Sequence, residues 1–455
     1  MSQEQVIIND KREIFGWAMY DWANSAFSTT IGTVFLGPYL ASLAADAAKA
    51  SADGMAHIGS IPIAPDSFMG YCVSLSVLLQ VFFLPILGAI ADYSHLRKRM
   101  MQIFASIGAT LTILLFVVQG DLWWLGGLLF ILANLSFGAS IVFYNSYLPD
   151  IASEDQRDRV SSYGWAMGYL GDGILLALNL AFYTFREKLG IPTGLAIRIN
   201  LASAGIWWLT FSFFTWARLH PRHARRSLPA NENYVSIGFK QLAGTLREVG
   251  HFPETIKFLA AYFLYNDGIQ TVIAMSSTFA AAPLLRGGLE LDLSTLTVVI
   301  LIIQFVAFFG ALFWGRLAGW VGAKKSIIIS LVIWAGVTIY AYFGMKGDSR
   351  ATEFLILGVV IAIVLGGSQA ISRSLFAQMI PSGKEAEFYS FYEVSDKGTS
   401  WFGPLLFGLV NQLSGSLRPA ILSLIVFFII GLIVLPLVNE KKAVEDVKKY
   451  DAMKA

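Results

Sequence analysis

About twelve stretches of this chain are apolar without a break over helix-length distances, and no other feature constrains its fold as strongly. They cover roughly 14–42, 67–91, 99–118, 122–147, 160–184, 196–217, 255–284, 293–318, 325–345, 351–379, 385–412 and 417–438. A helix needs roughly 20 such residues to cross the hydrocarbon core of a bilayer. Lipid cannot hydrate bare backbone, so a spanning chain is helical or a closed barrel. The runs are continuous, with no period-two alternation, so helices are predicted. Of the 455 residues, 56% are hydrophobic and only 14% charged, against roughly 25% charged in a soluble domain. The expected fold class is an all-α integral membrane protein.

Several function classes are excluded by what accompanies the runs. The net charge of +2 comes with no basic stripe bearing interleaved aromatics, so no nucleic-acid partner is expected. The one cysteine, Cys72, lies in an apolar run, which rules out an internal disulfide and a thiolate metal cluster. Five scattered histidines offer no metal site, and neither a clustered nucleophile with its base nor a cofactor motif is present. No enzyme, catalytic residue, metal or cofactor is therefore expected. The Gly-x-x-x-x-Gly-Lys-Ser/Thr phosphate cradle is missing, which argues against direct ATP drive. The first run is too long for a cleaved signal and follows the mixed-charge start Asp10-Lys11-Arg12-Glu13.

Basic residues sort by side. With the N-terminus placed in the cytoplasm, the inner loops hold Arg97, Lys98, Arg99, Arg157, Arg159, Arg222, Arg225, Arg226, Lys324, Lys325 and Lys384. The outer loops hold fewer, among them Lys49, Arg186, Lys188, Arg286, Lys346 and Arg350. This is the positive-inside bias, and it predicts a multi-pass protein of the cell inner membrane with both termini cytoplasmic. A polar stretch divides the chain. The predicted organisation is a six-helix bundle over 1–217, a cytoplasmic linker over 218–254, a second bundle over 255–440 and a tail over 441–455. Phe239, Leu242, Leu246 and Val249 share one helical face and predict an amphipathic helix on the inner leaflet within the linker.

The two halves echo each other. Tyr20-Asp21 in the first run recurs as Tyr265-Asn266-Asp267 in the seventh, and Gly88-Ala89-Ile90-Ala91-Asp92 recurs as Gly315-Arg316-Leu317-Ala318-Gly319. Tyr147-Leu148-Pro149 is matched by Met379-Ile380-Pro381. Repeats of six helices are what a two-lobed rocking transporter needs.

The turn from Gly88 to Arg99, with Gly88, three residues, Asp92 and then a basic cluster, resembles the signature of the major facilitator superfamily. Tyr93 and His95-Leu96 depart from that pattern, and Gly319 stands where the second half would repeat the Asp. Longer segments resemble a narrower family, the vacuole-effluxer-like branch related to the fungal vacuolar amino-acid exporter linked to autophagy. They are Tyr20-Asp21-Trp22-Ala23-Asn24-Ser25-Ala26, Phe143-Tyr144-Asn145 with Leu148-Pro149-Asp150, Tyr265-Asn266-Asp267-Gly268-Ile269-Gln270-Thr271, Ser372-Arg373-Ser374-Leu375-Phe376, Glu385-Ala386-Glu387-Phe388 and Ser400-Trp401-Phe402-Gly403-Pro404. The resemblance implies a major facilitator fold of two pseudo-symmetric six-helix bundles and export of small solutes, amino acids first.

Ionisable groups inside a membrane are costly and are functional candidates by default. Asp267 lies about 18 Å into its helix and Asp21 about 10 Å, at ~1.5 Å per residue. A partly desolvated carboxylate can exchange a proton as a cavity opens to each side, so Asp267 is expected to couple protons and Asp21 to orient the solute. Lys397, with Glu393 one turn earlier, and Arg373 supply positive charge for a solute carboxylate. Asn24, Asn145, Asn266, Gln270 and Gln369 can hydrogen-bond a polar solute or, more commonly, tie helices together, and Asp172 in Gly171-Asp172-Gly173 reads first as a helix-to-helix tie and second as a functional group. Gly88, Asp92 and Arg97 are the expected gating residues, because a carboxylate there can face a helix N-terminus or an arginine when the inner mouth closes. The expected partners are a small-molecule substrate and the bilayer, with the chain acting as a monomer. Another small metabolite, a drug-like solute or a non-transporting sensor remain the alternatives.

Overall fold

The computed structural model describes residues 8–49, 51–63, 65, 68–92, 96–222, 240, 251–291, 293–397 and 402–454. The predicted amphipathic helix of the linker, apart from Lys240, lies outside them.

Helix α1 (Lys11–Ala48) starts at Asp10, whose side chain accepts the Arg12 amide and so satisfies one orphan donor of the first turn. Its middle, Phe27–Phe35, is π-helical. A small hairpin of β1 (Ala56–Ile58) and β2 (Ile61–Ile63) follows, paired antiparallel with Ile58 opposite Ile61. Then come α2 (Phe68–Asp92), α3 (Arg97–Val117), α4 (Trp123–Asn145), α5 (Arg157–Phe185) and α6 (Thr193–Arg218). The second half holds α7 (Pro253–Ala281), α8 (Leu293–Val321), α9 (Ala323–Phe343) and α10 (Arg350–Ala377). The eleventh predicted run contains two helices, α11 (Glu385–Lys397) and α12 (Phe402–Ser414), and α13 (Leu417–Leu437) completes the bundle.

Among the described residues, nine helical spans are long and apolar enough to cross a membrane. The others, α6, α7 and the α11–α12 pair, fill the remaining places of the expected set. They read as less apolar because polar groups sit within them, Asn266, Asp267 and Gln270 in α7 and Glu387, Glu393 and Asp396 in α11.

In the first half α1 packs on α5 and α6, and α3 packs on α4 and α6; in the second, α8 packs on α10 and α7 on α13. The halves meet where α2 lies along α11 and where α5 lies along α8 and α10. Both main seams depend on glycine. A Cβ on Gly88 of α2 would stand 2.5 Å from the Ala386 carbonyl oxygen, and one on Gly315 of α8 would stand 2.7 Å from Ser162 of α5. These are the paired positions of the sequence repeat, so the repeat encodes matching close approaches on the two sides of the interface.

The start of α1, the end of α6 and the start of α7 share one end of the bundle, here called the termini end. The segment 441–455 is more than a tail. Helix α14 (Glu440–Lys454) buries Ala443, Val447 and Tyr450, one face at i, i+4 and i+7, and rests Tyr450 against Phe252 with ring centroids 5.0 Å apart. Its Asp451 accepts the Ser382 amide at 3.2 Å, tying it to the loop that leads into α11.

Candidate translocation site

Between the halves lies a cavity of ≈ 450 Å³. Asp21, Asn24, Asn145, Gln270 and Arg373, five of the sequence candidates, line it. Asp172, Glu393 and Asp396 line it too.

Arg373 is its hub. The guanidinium donates to Asp21 Oδ2 at 3.2 Å, to Asn145 Oδ1 at 3.3 Å, to Ser161 Oγ at 2.9 Å and to the Ser161 carbonyl at 2.7 Å. All four acceptors belong to the first half, whereas Arg373 belongs to the second. The planar fork of arginine allows this many directed bonds from one charge. Indole and phenol rings box it in, with Trp17 at 4.9 Å, Trp165 at 5.5 Å and Tyr144 at 5.7 Å from ring centroid to guanidinium carbon. Tyr144 also donates to Asp21 Oδ2 at 2.7 Å. The buried carboxylate therefore accepts from a cation and a phenol at once, which offsets its desolvation.

The opposite wall is acidic and aromatic. Asn145 donates to Glu393 Oε1 at 2.9 Å, so Glu393 binds across the halves as well as standing one turn from Lys397. Tyr262 donates to Asp396 Oδ1 at 2.8 Å and stacks on Tyr392 at 4.3 Å. Asn266 is turned away from the cavity and ties α7 to α11 through Asp396 Oδ1 at 2.6 Å. Asp267 is also outside the lining. Its Oδ2 accepts the Gly403 amide at 2.7 Å, which makes it a cap on the first turn of α12. Lys397 ends α11, and its side chain lies outside the described residues.

Farther from the termini end, Asp172 Oδ2 accepts from Thr29 Oγ1 at 2.5 Å and from Gln304 Nε2 at 2.8 Å, a bond between the halves. Tyr169 adds a second tie, to Gln369 Oε1 at 3.2 Å.

At the termini end the halves are locked together by charge. Asp92, the last residue of α2, accepts the amides of Ala386 at 3.0 Å and Glu387 at 2.9 Å. A carboxylate from one half thus caps the N-terminus of α11 in the other, where the helix dipole also favours negative charge. Arg97 bridges Asp92 at 3.3 Å, Asp150 at 3.0 Å and Glu385 at 3.4 Å. The residue at the repeat position, Gly319, faces open space, where an added Cβ would touch nothing within 4 Å. That side is closed instead by Asp158 bonding Ser374 and by Arg157 donating to the Ala377 carbonyl.

Sequence reasoning placed Asp92 and Arg97 together and missed Tyr144, Ser161 and Asp396. A signal for Asp396 was available. Tyr392, Glu393 and Asp396 fall on one helical face, with two carboxylates at i and i+3 inside a predicted span.

Two helical bundles around a central polar cavity, locked at one end by a helix-capping Asp, define a membrane transporter of the major facilitator class. Solved members share the fold. The proton:xylose symporter XylE superposes with a TM-score of 0.73 over 96% of this chain and 98% of its own at 12% identity. The human organic anion transporter MFSD10 does so with 0.65 over 93% and 99% at 13% identity. The profile of the vacuole effluxer Atg22-like family matches residues 9–448, and the chain belongs to that family. Its relatives include the uncharacterized MFS-type transporter YxiO of Bacillus subtilis, 30% identical over 94% of this chain and 95% of that one. Autophagy-related protein 22-1 of Penicillium rubens is 26% identical over 96% and 91%.

Proposed function

We propose that the protein exports a small zwitterion, an amino acid first, by proton-coupled alternating access. One observation carries this reading. A guanidinium, Arg373, and carboxylates, Asp21, Glu393 and Asp396, face one cavity of ≈ 450 Å³. Ligand cavities run from roughly 300 to 1,000 Å³, so this one suits a small solute. A solute carboxylate would take the Arg373 donors now given to Asp21, and its ammonium would meet Glu393 and Asp396. The guanidinium would then exchange one carboxylate partner for another, while Asp21 keeps the hydrogen bond from Tyr144.

In this reading the termini end is the cytoplasmic mouth of an inner-membrane protein, following the basic-residue asymmetry. The bundles over 1–217 and 255–440 rock about the cavity, joined by the 218–254 linker, in a monomer. Gly88, Asp92 and Arg97 hold the inner mouth shut. Asn24 and Gln270 contact the solute, while Asn266 and Asp267 keep α7 attached to α11 and α12. The second reading, a flat metabolite or drug-like solute, is favoured by the aromatic wall of Trp165, Tyr169, Tyr262 and Tyr392.

Counterflow of labelled neutral amino acids in proteoliposomes decides between them. Exchange that saturates and disappears in Arg373→Gln supports the zwitterion. No amino-acid flux, with flux of planar aromatic solutes, supports the second reading. No flux of any solute leaves a sensor.

A further inference from the structure

The buried carboxylate of Asp172 is used unevenly. Oδ2 accepts two hydrogen bonds, from Thr29 of α1 and Gln304 of α8. Oδ1 is buried and, among the described residues, has no hydrogen-bond partner. The residue is 4% exposed, yet it borders the cavity. An ionised carboxylate in that position carries its charge with half its acceptor capacity unused, and burying such a charge is expensive unless the group is neutralised.

Asp172 takes part in no ion pair among the described residues. The charged and titratable groups facing this part of the cavity are Asp21 on α1, Arg373 on α10 and Tyr169 one turn earlier on α5, and Arg373 is already committed to Asp21. Helix α8 brings only the amide of Gln304, since Leu293–Gly315 holds no ionisable residue. On α6, Arg198 donates to the Phe116 carbonyl and Arg218 to that of Phe214. Thr29 stands in the π-helical stretch of α1, an irregularity that recurs at functional sites.

We propose that Asp172 is the carrier of the coupled proton, taken up at Oδ1, and that its charge sets the strength of the tie between the halves at Gln304. The inference rests on the transport reading above and moves coupling away from Asp267, whose carboxylate caps α12. The step balances simply. A proton arriving through the cavity adds to Oδ1, the charge on the group falls to zero, and the bonds from Thr29 and Gln304 to Oδ2 pass from charge-assisted to neutral, which weakens each by about half. Release of the proton to the other side restores them. Asp172 lies about 22 Å from the start of α5 at ~1.5 Å per residue, far from the Asp92 contacts. One proton can thus loosen the outer tie while the termini end stays locked. Sodium fits less well, because hard cations take several oxygen ligands and, among the described residues, the carboxylate is bonded by one hydroxyl and one amide nitrogen.

The experiment has two arms on the full-length purified protein. In the first, infrared difference spectra across a pH titration should show the carbonyl stretch of a protonated carboxylic acid that is missing in Asp172→Asn. This arm needs no substrate, so a failed solute screen leaves it intact. In the second, Asp172→Asn, a neutral isostere, should keep counterflow exchange and lose accumulation driven by a pH gradient by at least tenfold. A band unchanged by Asp172→Asn, accumulation equal to wild type, or wild-type drive by a sodium gradient alone would each overturn the assignment. Should Asp172→Asn lose exchange as well, Gln304→Leu decides. It removes a donor to the ionised form, so the titration midpoint must rise, by ~1 pH unit; an unmoved midpoint overturns the proposal.

Discussion

Gly88 and Ala386 stand so close that no side chain fits between them, with a built Cβ only 2.5 Å from the Ala386 carbonyl oxygen. The atom in the way is backbone, so the clash is relieved only by moving α2 from α11. Gly88→Ala is expected to hold the termini end open and to lower transport about tenfold, the equivalent of ~1.4 kcal/mol. A cysteine replacing buried Ser390 in a Cys72→Ala background should become reactive toward thiol reagents in this variant. Unchanged reactivity and flux would show that the seam tolerates a methyl group.

Asp92→Ala removes the cap on α11 supplied from the other half. Losing such a cap costs roughly 0.5–2 kcal/mol. Arg97 keeps Asp150 and Glu385, so the fold should survive while turnover slows and the inner mouth opens more often. Transport by the purified variant at the wild-type rate would remove Asp92 from the gating set.

Arg373→Ala leaves the Asp21 carboxylate buried beside Tyr144 alone. Truncating one partner of a buried ion pair typically costs ~3–5 kcal/mol, and the melting temperature in detergent should fall accordingly. The double variant Asp21→Asn with Arg373→Gln replaces both charges with amides and should recover most of that loss without recovering exchange. Recovery of exchange in the double variant would dissociate the pair from substrate recognition.

For topology, Ser51→Cys and Ser227→Cys in a Cys72→Ala background report opposite sides of the membrane. An impermeant thiol reagent on intact cells should label position 51 and leave 227 unlabelled. The reverse pattern would invert the orientation and turn the proposed exporter around.

The spans and their pairing into halves were legible because hydrophobic runs and a six-helix repeat act along the chain itself. Asp92 was legible too, since a carboxylate after a packing glycine needs a donor and helix termini supply donors. Partners more than 200 positions away were not. Nothing local tells Arg373 that it will meet Ser161 and Asp21, or Asn145 that it will meet Glu393. Asp267 shows the limit of depth as a guide. Counting residues puts it near mid-membrane, but rotation about α7 points it at the Gly403 amide and away from the cavity. Asp172, set between two glycines, reads first as a helix-to-helix tie, and its unpartnered Oδ1 is what favours a functional group instead. The π-helical stretch in α1 has no apolar periodicity to announce it, and the C-terminal segment looked like a charged tail because its packed face is just Ala443, Val447 and Tyr450.

The cap on α11 also bears on biogenesis. Asp92 leaves the ribosome 294 residues ahead of the Ala386 amide it will bind. It must wait in the inserted first half through synthesis of most of the second. Until the two halves dock, the first turn of α11 lacks this acceptor for its Ala386 and Glu387 amides, at the very point where a polar helix has to enter lipid. The order of synthesis thus leaves the start of α11 without its cap until the completed first half meets it.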